Sequence, residues 1–273
     1  MTELTVRRLL IDLQAPFARR WNGGDAFRTA LFNALSMSFP VGEQFFIDAV
    51  RLGMKALPEA ERQRREREVQ GFIGQEATHR RIHALFNAQL EAQGHRNTWG
   101  PRSAQRVAGI ATADPRHAVA VTAATEHLTA ILADWMLRSP HPFEGAEPRL
   151  ATLWRWHSAE ESEHRATAFD LYRALGGNEE WRVRWFRQVT TQFLVDLARQ
   201  TLRNLWHDGA VFDWRTWRSA WRFLFGRAGI LRTVRPAWRA YLAADFHPHQ
   251  QDAALSVQWL RDNAAGYTVV SPA

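Results

Sequence analysis

Two short motifs in the sequence combine a carboxylate and an imidazole at helical spacing. Glu76 is followed three residues later by His79, and Glu161 is followed in the same way by His164. Residues three apart lie on one face of an α-helix, so each pair directs both groups toward one point. Oxygen and nitrogen ligands of this kind bind divalent metal ions. Each motif therefore predicts half of a metal site, provided that its segment is helical.

Each motif is preceded, at a similar distance, by a glutamate among apolar or small residues. These glutamates are Glu43 and Glu126. A carboxylate on a buried helix face is costly unless it is paired or bound to a metal. Four carboxylates and two imidazoles on four successive helices match the inward-facing ligands of a dimetal site in a helical bundle. Two divalent cations would balance the four negative charges.

A third histidine extends the second motif. His157 lies one turn before Glu161 on the same predicted helix face, and Trp154 and Trp156 beside it indicate a buried environment. We expect His157 to bind one metal, the alternative being a core histidine that is hydrogen-bonded to a carboxylate. His83 is expected to support a ligand or to lie at the surface. The predicted metal ligands are Glu43, Glu76, His79, Glu126, His157, Glu161 and His164.

The composition excludes several other chemistries. There is no cysteine, which excludes disulfide scaffolds, thiolate zinc sites, cysteine nucleophiles and cysteine-ligated iron–sulfur clusters. Lys55 is the only lysine, so a Schiff-base mechanism is not favoured. A tightly bound metal must therefore be coordinated by histidine and carboxylate side chains. This donor set suits two iron ions, with manganese or zinc as alternatives.

The elements that must position these ligands are helices. Helical periodicity dominates the chain, and alternating β-branched runs are nearly absent. Pro40 is expected to kink or interrupt the first helix. Residues 95–106, which contain Gly100 and Pro101, are expected to form a loop, and the tail from Gly266 is expected to be irregular. The predicted long helices are 25–52, 58–93, 115–138, 147–175 and 179–206, with shorter helices in 213–265.

The longest connection among the first four helices lies between the second and the third. One long crossover is typical of the ferritin-like arrangement. We therefore predict an all-α fold, in which a ferritin-like four-helix bundle is followed by a C-terminal helical extension. The bundle is assigned to residues 1–177 and the extension to 178–273, and both are expected to form one continuous domain.

The extension is basic and aromatic. Most of the net charge of +7 lies there, and Trp214, Trp217 and Trp221 form one stripe with arginines beside it. We expect this stripe to pack on the bundle, because an apolar stripe normally faces a core. The alternatives are peripheral contact with a membrane surface and a contact between two subunits of a homodimer. No nucleic-acid-binding module is recognised, so no nucleic-acid partner is expected.

Targeting signals are not evident in the sequence. The N-terminal residues lack the apolar segment of a secretory signal. No uncharged apolar run approaches the roughly 20 residues of a membrane-spanning helix. We therefore expect a cytoplasmic protein, with association to a membrane surface as the alternative.

Three resemblances accompany these motifs. Glu43, Glu126 and the two Glu-x-x-His pairs resemble the ligands of ferritin-like di-iron carboxylate proteins, and His157-x-x-x-Glu161-x-x-His164 resembles the ligand pattern of arylamine N-oxygenases. Segments 39–46, 75–79 and 156–164 are similar to a bacterial family described as predicted metal-dependent hydrolases.

The resemblances imply different reactions. The ligand pattern implies a non-haem di-iron oxidase or oxygenase, which uses O2 and an electron donor to oxidise a small, apolar or aromatic substrate. The family description implies a dimetal-dependent hydrolase. A ferritin-like protein that handles iron is a third alternative. We expect the first of these functions, because it follows from the ligands themselves.

Overall fold

A computed structural model describes residues 4–111 and 114–270 of the chain. Nearly all regular structure in this part is helical, which confirms the all-α prediction. The helices are α1 Ala26–Ala56, α2 Glu59–Ala92, α3 Trp99–Ala111, α4 Pro115–Arg138, α5 Pro148–His164, α6 Thr167–Ala174, α7 Glu179–His207, α8 Trp214–Phe225, α9 Ile230–Ala240 and α10 Ala254–Asp262. Two short strands, β1 Arg7–Leu9 and β2 Tyr267–Val269, pair antiparallel.

Short polar side chains begin three of the long helices. A side-chain oxygen of Asp25 accepts a hydrogen bond from the backbone N–H of Arg28 at 2.9 Å. Asp114 precedes α4 and Asn178 precedes α7, and each caps its helix in the same way. These residues satisfy backbone N–H groups that have no partner within the helix.

The helix α1 continues through Pro40, so this proline does not interrupt it. Proline has no N–H group, and the carbonyl oxygen of Ser36 therefore lacks its usual partner within the helix. The side-chain amide of Asn87 in α2 donates to that oxygen at 2.9 Å. The cost of a proline inside the helix is thus reduced by a contact that also ties α1 to α2.

Three predicted boundaries are wrong. Residues 99–111 form α3 rather than a loop, because Pro101 lies in the first turn and the Asn97 side chain accepts from the N–H of Gly100 at 2.9 Å. The predicted helix 147–175 is divided between α5 and α6 at Arg165 and Ala166. The tail is not irregular throughout, because residues 267–269 form β2.

The four helices that carry the predicted ligands are in mutual contact. The helix α1 packs along α2 and against α4, and α4 packs along α5. The extension lies on these helices, with α7 across α1 and α4, α8 on α1, α9 on α4 and α10 on α5. The ferritin-like bundle and the division at residue 177 remain predictions. No helix in the described part is long and apolar enough to cross a bilayer.

The predicted packing of the tryptophan stripe on the bundle is wrong. Trp214, Trp217 and Trp221 are 61%, 46% and 67% exposed. Instead, α8 buries Thr216, Ala220 and Phe223 on its opposite side. The stripe therefore faces away from the helices that hold the predicted ligands.

Candidate metal centre

The structure brings all seven predicted ligands together. Their side chains come from α1, α2, α4 and α5, and none of the seven residues is more than 4% exposed. Charged residues are rarely buried to this degree without a partner. The cluster therefore has the character of a binding site within the protein core.

One half of the cluster surrounds His164 at the end of α5. Its Nε2 atom lies 3.2 Å from Glu76 Oε1, 3.2 Å from Glu126 Oε2 and 3.6 Å from Glu161 Oε2. Three helices thus direct oxygen and nitrogen atoms to one point. Among them, Glu76, Glu161 and His164 have ligand atoms close enough together to hold one metal ion.

The other half surrounds His157 and His79. His157 Nε2 lies 2.8 Å from Glu161 Oε1 and 3.8 Å from Glu43 Oε1, and His79 Nδ1 lies 3.5 Å from Glu161 Oε1. The carboxylate of Glu161 therefore extends to both halves, one oxygen toward each. Glu76 also contributes to a group with Glu43 and His79. This arrangement can hold two ions side by side.

Two of the histidines are oriented by neighbours on the side away from the cluster centre. His79 Nε2 lies 3.0 Å from Glu160 Oε2, and His164 Nδ1 lies 3.1 Å from Gln75 Oε1. An imidazole that donates one N–H to an oxygen presents the lone pair of its other nitrogen. These contacts therefore direct His79 Nδ1 and His164 Nε2 toward the cluster centre.

His157 is oriented by a longer chain of hydrogen bonds. Its Nδ1 atom lies 2.7 Å from His83 Nε2, and His83 Nδ1 lies 2.9 Å from the Ser36 hydroxyl. The Ser36 hydroxyl donates its single proton to Asn87 Oδ1 at 2.8 Å, so it accepts from His83 Nδ1. His83 Nε2 must then accept from His157 Nδ1, which directs the lone pair of His157 Nε2 toward the cluster. His83 thus lies behind a ligand rather than at the surface.

Arg7, in the N-terminal strand β1, forms ion pairs with two glutamates of α5 that lie behind the cluster. The Arg7 guanidinium donates to Glu160 Oε1 at 3.1 Å and to Glu163 Oε2 at 2.7 Å. The Gln75 amide donates to the same Glu163 oxygen at 2.8 Å. No pattern in the sequence marks the roles of Arg7 and Gln75, because both depend on the N-terminal segment lying across α2 and α5.

Most of the ligand atoms that face the cluster centre lack hydrogen-bond partners in the described structure, the exceptions being His157 Nε2 and Glu161 Oε1, which lie 2.8 Å apart. Both oxygens of Glu43, Glu76 and Glu126 are buried without a hydrogen bond, as are His79 Nδ1 and His164 Nε2. Buried polar atoms are normally paired, so such a concentration needs an explanation. Divalent cations would provide it, since they bind both donor types. The residues therefore fit a dimetal centre.

Electrostatics lead to the same conclusion. Burial raises the pKa of Glu43, Glu76 and Glu126 well above the ordinary value, and the neighbouring carboxylates raise each of them further. Burial also acts on Glu161, but the His164 imidazole, whose Nε2 lies 3.6 Å from Glu161 Oε2, opposes it, and the pKa of Glu161 is held well below its usual range. Four carboxylates can all be ionised here only if cations accompany them.

Two adjoining cavities lead to one side of the centre. The inner cavity is bordered by His157 and Glu161 and otherwise mainly by apolar side chains, including Met136. The outer cavity lies among α1, α3, α4 and α7 and is also predominantly apolar. Both cavities are lined by Phe39, Thr129 and Phe193. These three side chains stand between the outer cavity and the ligands.

Comparison with known proteins identifies one family. The family model described as "Predicted metal-dependent hydrolase" matches residues 5–252, which is most of the chain. No curated protein and no solved structure gives a significant match. The resemblances to ferritin-like proteins and to arylamine N-oxygenases therefore remain predictions.

Proposed function

The chain belongs to the family of predicted metal-dependent hydrolases, and we propose that its buried cluster holds two divalent metal ions that catalyse hydrolysis. The observation that carries the proposal is the group of unpartnered carboxylate oxygens and imidazole nitrogens that face one another in the core. Glu43, His79 and His157 would hold one ion, and Glu126 and His164 the other. Glu76 and Glu161 lie between the two positions.

The metals would activate both the scissile group of the substrate and the attacking water. When bound, such ions act as Lewis acids toward a carbonyl or phosphoryl oxygen and make water nucleophilic at neutral pH. The protein orients the imidazole ligands through Gln75, His83 and Glu160, so that their lone pairs are directed inward before any metal arrives. Water adds across the scissile bond, one product receiving the hydroxyl and the other the proton.

The cavities indicate which substrates fit. The inner cavity beside His157 and Glu161 has a volume of only about 20 Å³, whereas the outer cavity has about 120 Å³. An ester, amide or phosphoester would therefore bury an apolar body in the outer cavity. Its scissile bond would reach the ligands past Phe39 and Phe193, which line both cavities. The family membership favours this hydrolytic reaction over the oxidation that the ligand pattern implies.

Oxidation by O2 is the second candidate, and one observation favours it. Three histidines and four carboxylates converge in a dry core without any thiolate, a donor set that suits iron. In that function the same cavities would hold a small apolar or aromatic substrate, and an electron donor would be required. The two candidates share the ligands and differ in the metal loaded and in the need for O2.

Separate loading of the metal-free protein with zinc, manganese and ferrous iron tests the proposal. Hydrolysis of p-nitrophenyl esters and phosphoesters by the zinc or manganese form under anaerobic conditions is expected. Glu126→Gln should abolish it, whereas Glu91→Gln, an exposed glutamate on α2, should not. A ferrous form that consumes O2 stoichiometrically, while every form fails to hydrolyse these compounds, would assign the second function instead.

A further inference from the structure

The helices α8 and α9 carry an unusual concentration of positive charge. Residues 214–240 contain seven arginines and no aspartate or glutamate. All seven arginines are exposed, and no carboxylate of the described residues forms an ion pair with any of them. The arginines are Arg215, Arg218, Arg222, Arg227, Arg232, Arg235 and Arg239. Within the described residues, the positive charge of α8, α9 and the loop between them therefore has no carboxylate paired with it.

The same surface exposes large aromatic side chains. On α8, Trp214, Trp217, Trp221 and Phe225 recur at helical spacing and are between 46% and 67% exposed. Trp221 and Phe225 are in contact, with ring centroids 4.7 Å apart. An isolated exposed aromatic residue needs no explanation, but a row of four along one helix does.

The aromatic row continues beyond α8. Phe212, just before the helix, is 85% exposed, and Trp206 near the end of α7 is 67% exposed. Their ring centroids are 5.8 Å apart. Since α8 already buries Thr216, Ala220 and Phe223 against the protein, the row is available to something outside the described chain. We call the row and the seven arginines the basic aromatic surface.

We propose that the basic aromatic surface docks onto membranes that contain anionic phospholipids. Tryptophan is favoured in the headgroup region, where its ring is buried and its N–H stays hydrated. Arginines beside the aromatic row would contact lipid phosphates at an anionic surface. The helices would lie in the interface without crossing it.

A cleft beside α8 is rich in arginine. It lies between α8 and the start of α1 and is lined by five arginines together with the carboxylates of Asp25, Glu144 and Asp213; the arginines are Arg20, Arg28, Arg215, Arg218 and Arg222. Only Arg28 of these is engaged with a carboxylate, lying 3.7 Å from Asp25. The guanidinium group binds phosphate oxygens in pairs, so the cleft offers a specific contact beside the aromatic row.

A second copy of the chain is a poorer occupant. In a twofold dimer, the same patch meets itself. Such a contact would bring two sets of unpaired arginines together, and like charges across an interface are unfavourable. An anionic membrane complements both the charge and the exposed aromatic rings. This proposal does not depend on the chemistry of the metal centre.

Co-sedimentation of the full chain with vesicles tests the proposal. Binding is expected with vesicles of phosphatidylcholine and phosphatidylglycerol, but not with phosphatidylcholine alone. Arg218→Gln and Arg222→Gln should each weaken binding about fivefold, the equivalent of about 1 kcal/mol. Arg64→Gln, which removes an exposed arginine on α2, should have no effect. Equal binding to both vesicle types, or no binding, would overturn the proposal.

The aromatic residues give an independent test. Trp221→Gln should reduce vesicle binding, whereas Trp181→Gln, at a tryptophan on α7 outside the surface, should not. Bromine-labelled phospholipid should quench fluorescence of the wild-type protein more than that of the Trp221→Gln variant. If Trp221→Gln instead converts a dimer to a monomer in sedimentation velocity and leaves vesicle binding unchanged, the surface is a subunit contact and the proposal is wrong.

Discussion

The buried carboxyl groups should make the metal-free protein less stable as the pH rises. Burial raises the pKa of Glu43, Glu76 and Glu126 well above the ordinary value. It also raises the pKa of Glu160 to about 8, although Arg7 opposes the shift. These groups keep their protons in the folded protein at pH values where the unfolded chain has lost them. The folded state then binds more protons, so its free energy of unfolding falls with increasing pH.

Buried imidazoles act in the opposite direction, but only at lower pH. Burial lowers the pKa of His83 well below the ordinary value and that of His127 and His157 to about 4. Below the ordinary value of 6.5 the unfolded chain therefore binds more protons at these positions. Their contribution to stability grows up to that pH and is constant above it. Above pH 6.5, the change of the free energy of unfolding with pH therefore reports on the carboxyl groups.

The size of the effect follows from this difference in bound protons. One carboxyl group that stays protonated only in the folded state changes the free energy of unfolding by about 1.4 kcal/mol per pH unit. Between pH 6.5 and pH 8, the values that bound the range, a single such group lowers it by about 2 kcal/mol. Two groups would lower it by about twice that amount.

Urea denaturation in the presence of a chelator, at several pH values across this range, measures the slope. Glu126→Gln removes one titrating group and should flatten it, whereas Glu91→Gln should leave it unchanged. Metal-loaded protein should show the opposite trend, because the ligands must release protons to bind metal. A free energy of unfolding that is constant or rises with pH in the metal-free wild type would show that these carboxyl groups do not keep their protons in the folded protein.

Three further substitutions test the supporting residues and the cavities. His83→Leu removes the acceptor of His157 Nδ1 and should weaken metal affinity about 10- to 100-fold in chelator competition. His249→Leu, at an exposed histidine, should leave metal affinity unchanged. If the His83→Leu variant bound metal as tightly as the wild type, the tautomer assigned to His157 would be wrong. Arg7→Gln leaves Glu160 without its ion-pair partner and should weaken metal affinity about tenfold. If Arg8→Gln, at an exposed arginine, weakened metal affinity as much, Arg7 would have no specific role in supporting the cluster. Phe39→Ala should join the two cavities and raise kcat/KM for bulkier substrates relative to smaller ones. If the ratio of these kcat/KM values were the same in the variant and the wild type, Phe39 would not limit access to the centre.

The residues that form the buried cluster could be singled out because their signal is local. Glu76 with His79 and Glu161 with His164 share a helix face by spacing alone, and Glu43 and Glu126 stand out as charges in apolar surroundings. The structure places all of them in one buried cluster. The bound ions themselves remain a prediction that experiment must test.

The supporting residues could not be predicted in the same way. The contact between His83 and His157 joins α2 to α5, and the contact of Arg7 with Glu160 joins β1 to α5. Neither pair has a local spacing that marks it, because both depend on how distant segments pack. Ser36 is a further case, since its hydroxyl contacts His83 and Asn87 only because α1 packs along α2.

Two errors in the predicted fold have local causes. Gly100 and Pro101 were expected to exclude a helix, yet a proline in the first turn is compatible with one and Asn97 caps it. The helix α8 has two apolar sides, and the sequence alone does not tell which of them faces the protein. The smaller side, with Thr216 and Ala220, is the buried one.

Anomalous diffraction from crystals soaked in a divalent metal would locate the ions of the proposed dimetal centre. Two peaks are expected in the core, one beside Glu43 and His79 and one beside Glu126 and His164, with ligand distances of about 2.0–2.2 Å. A separate group, His95 with His207 and Asp208, offers a competing site near the surface. Metal at that group alone, with none in the core, would show that the buried cluster is not a metal centre.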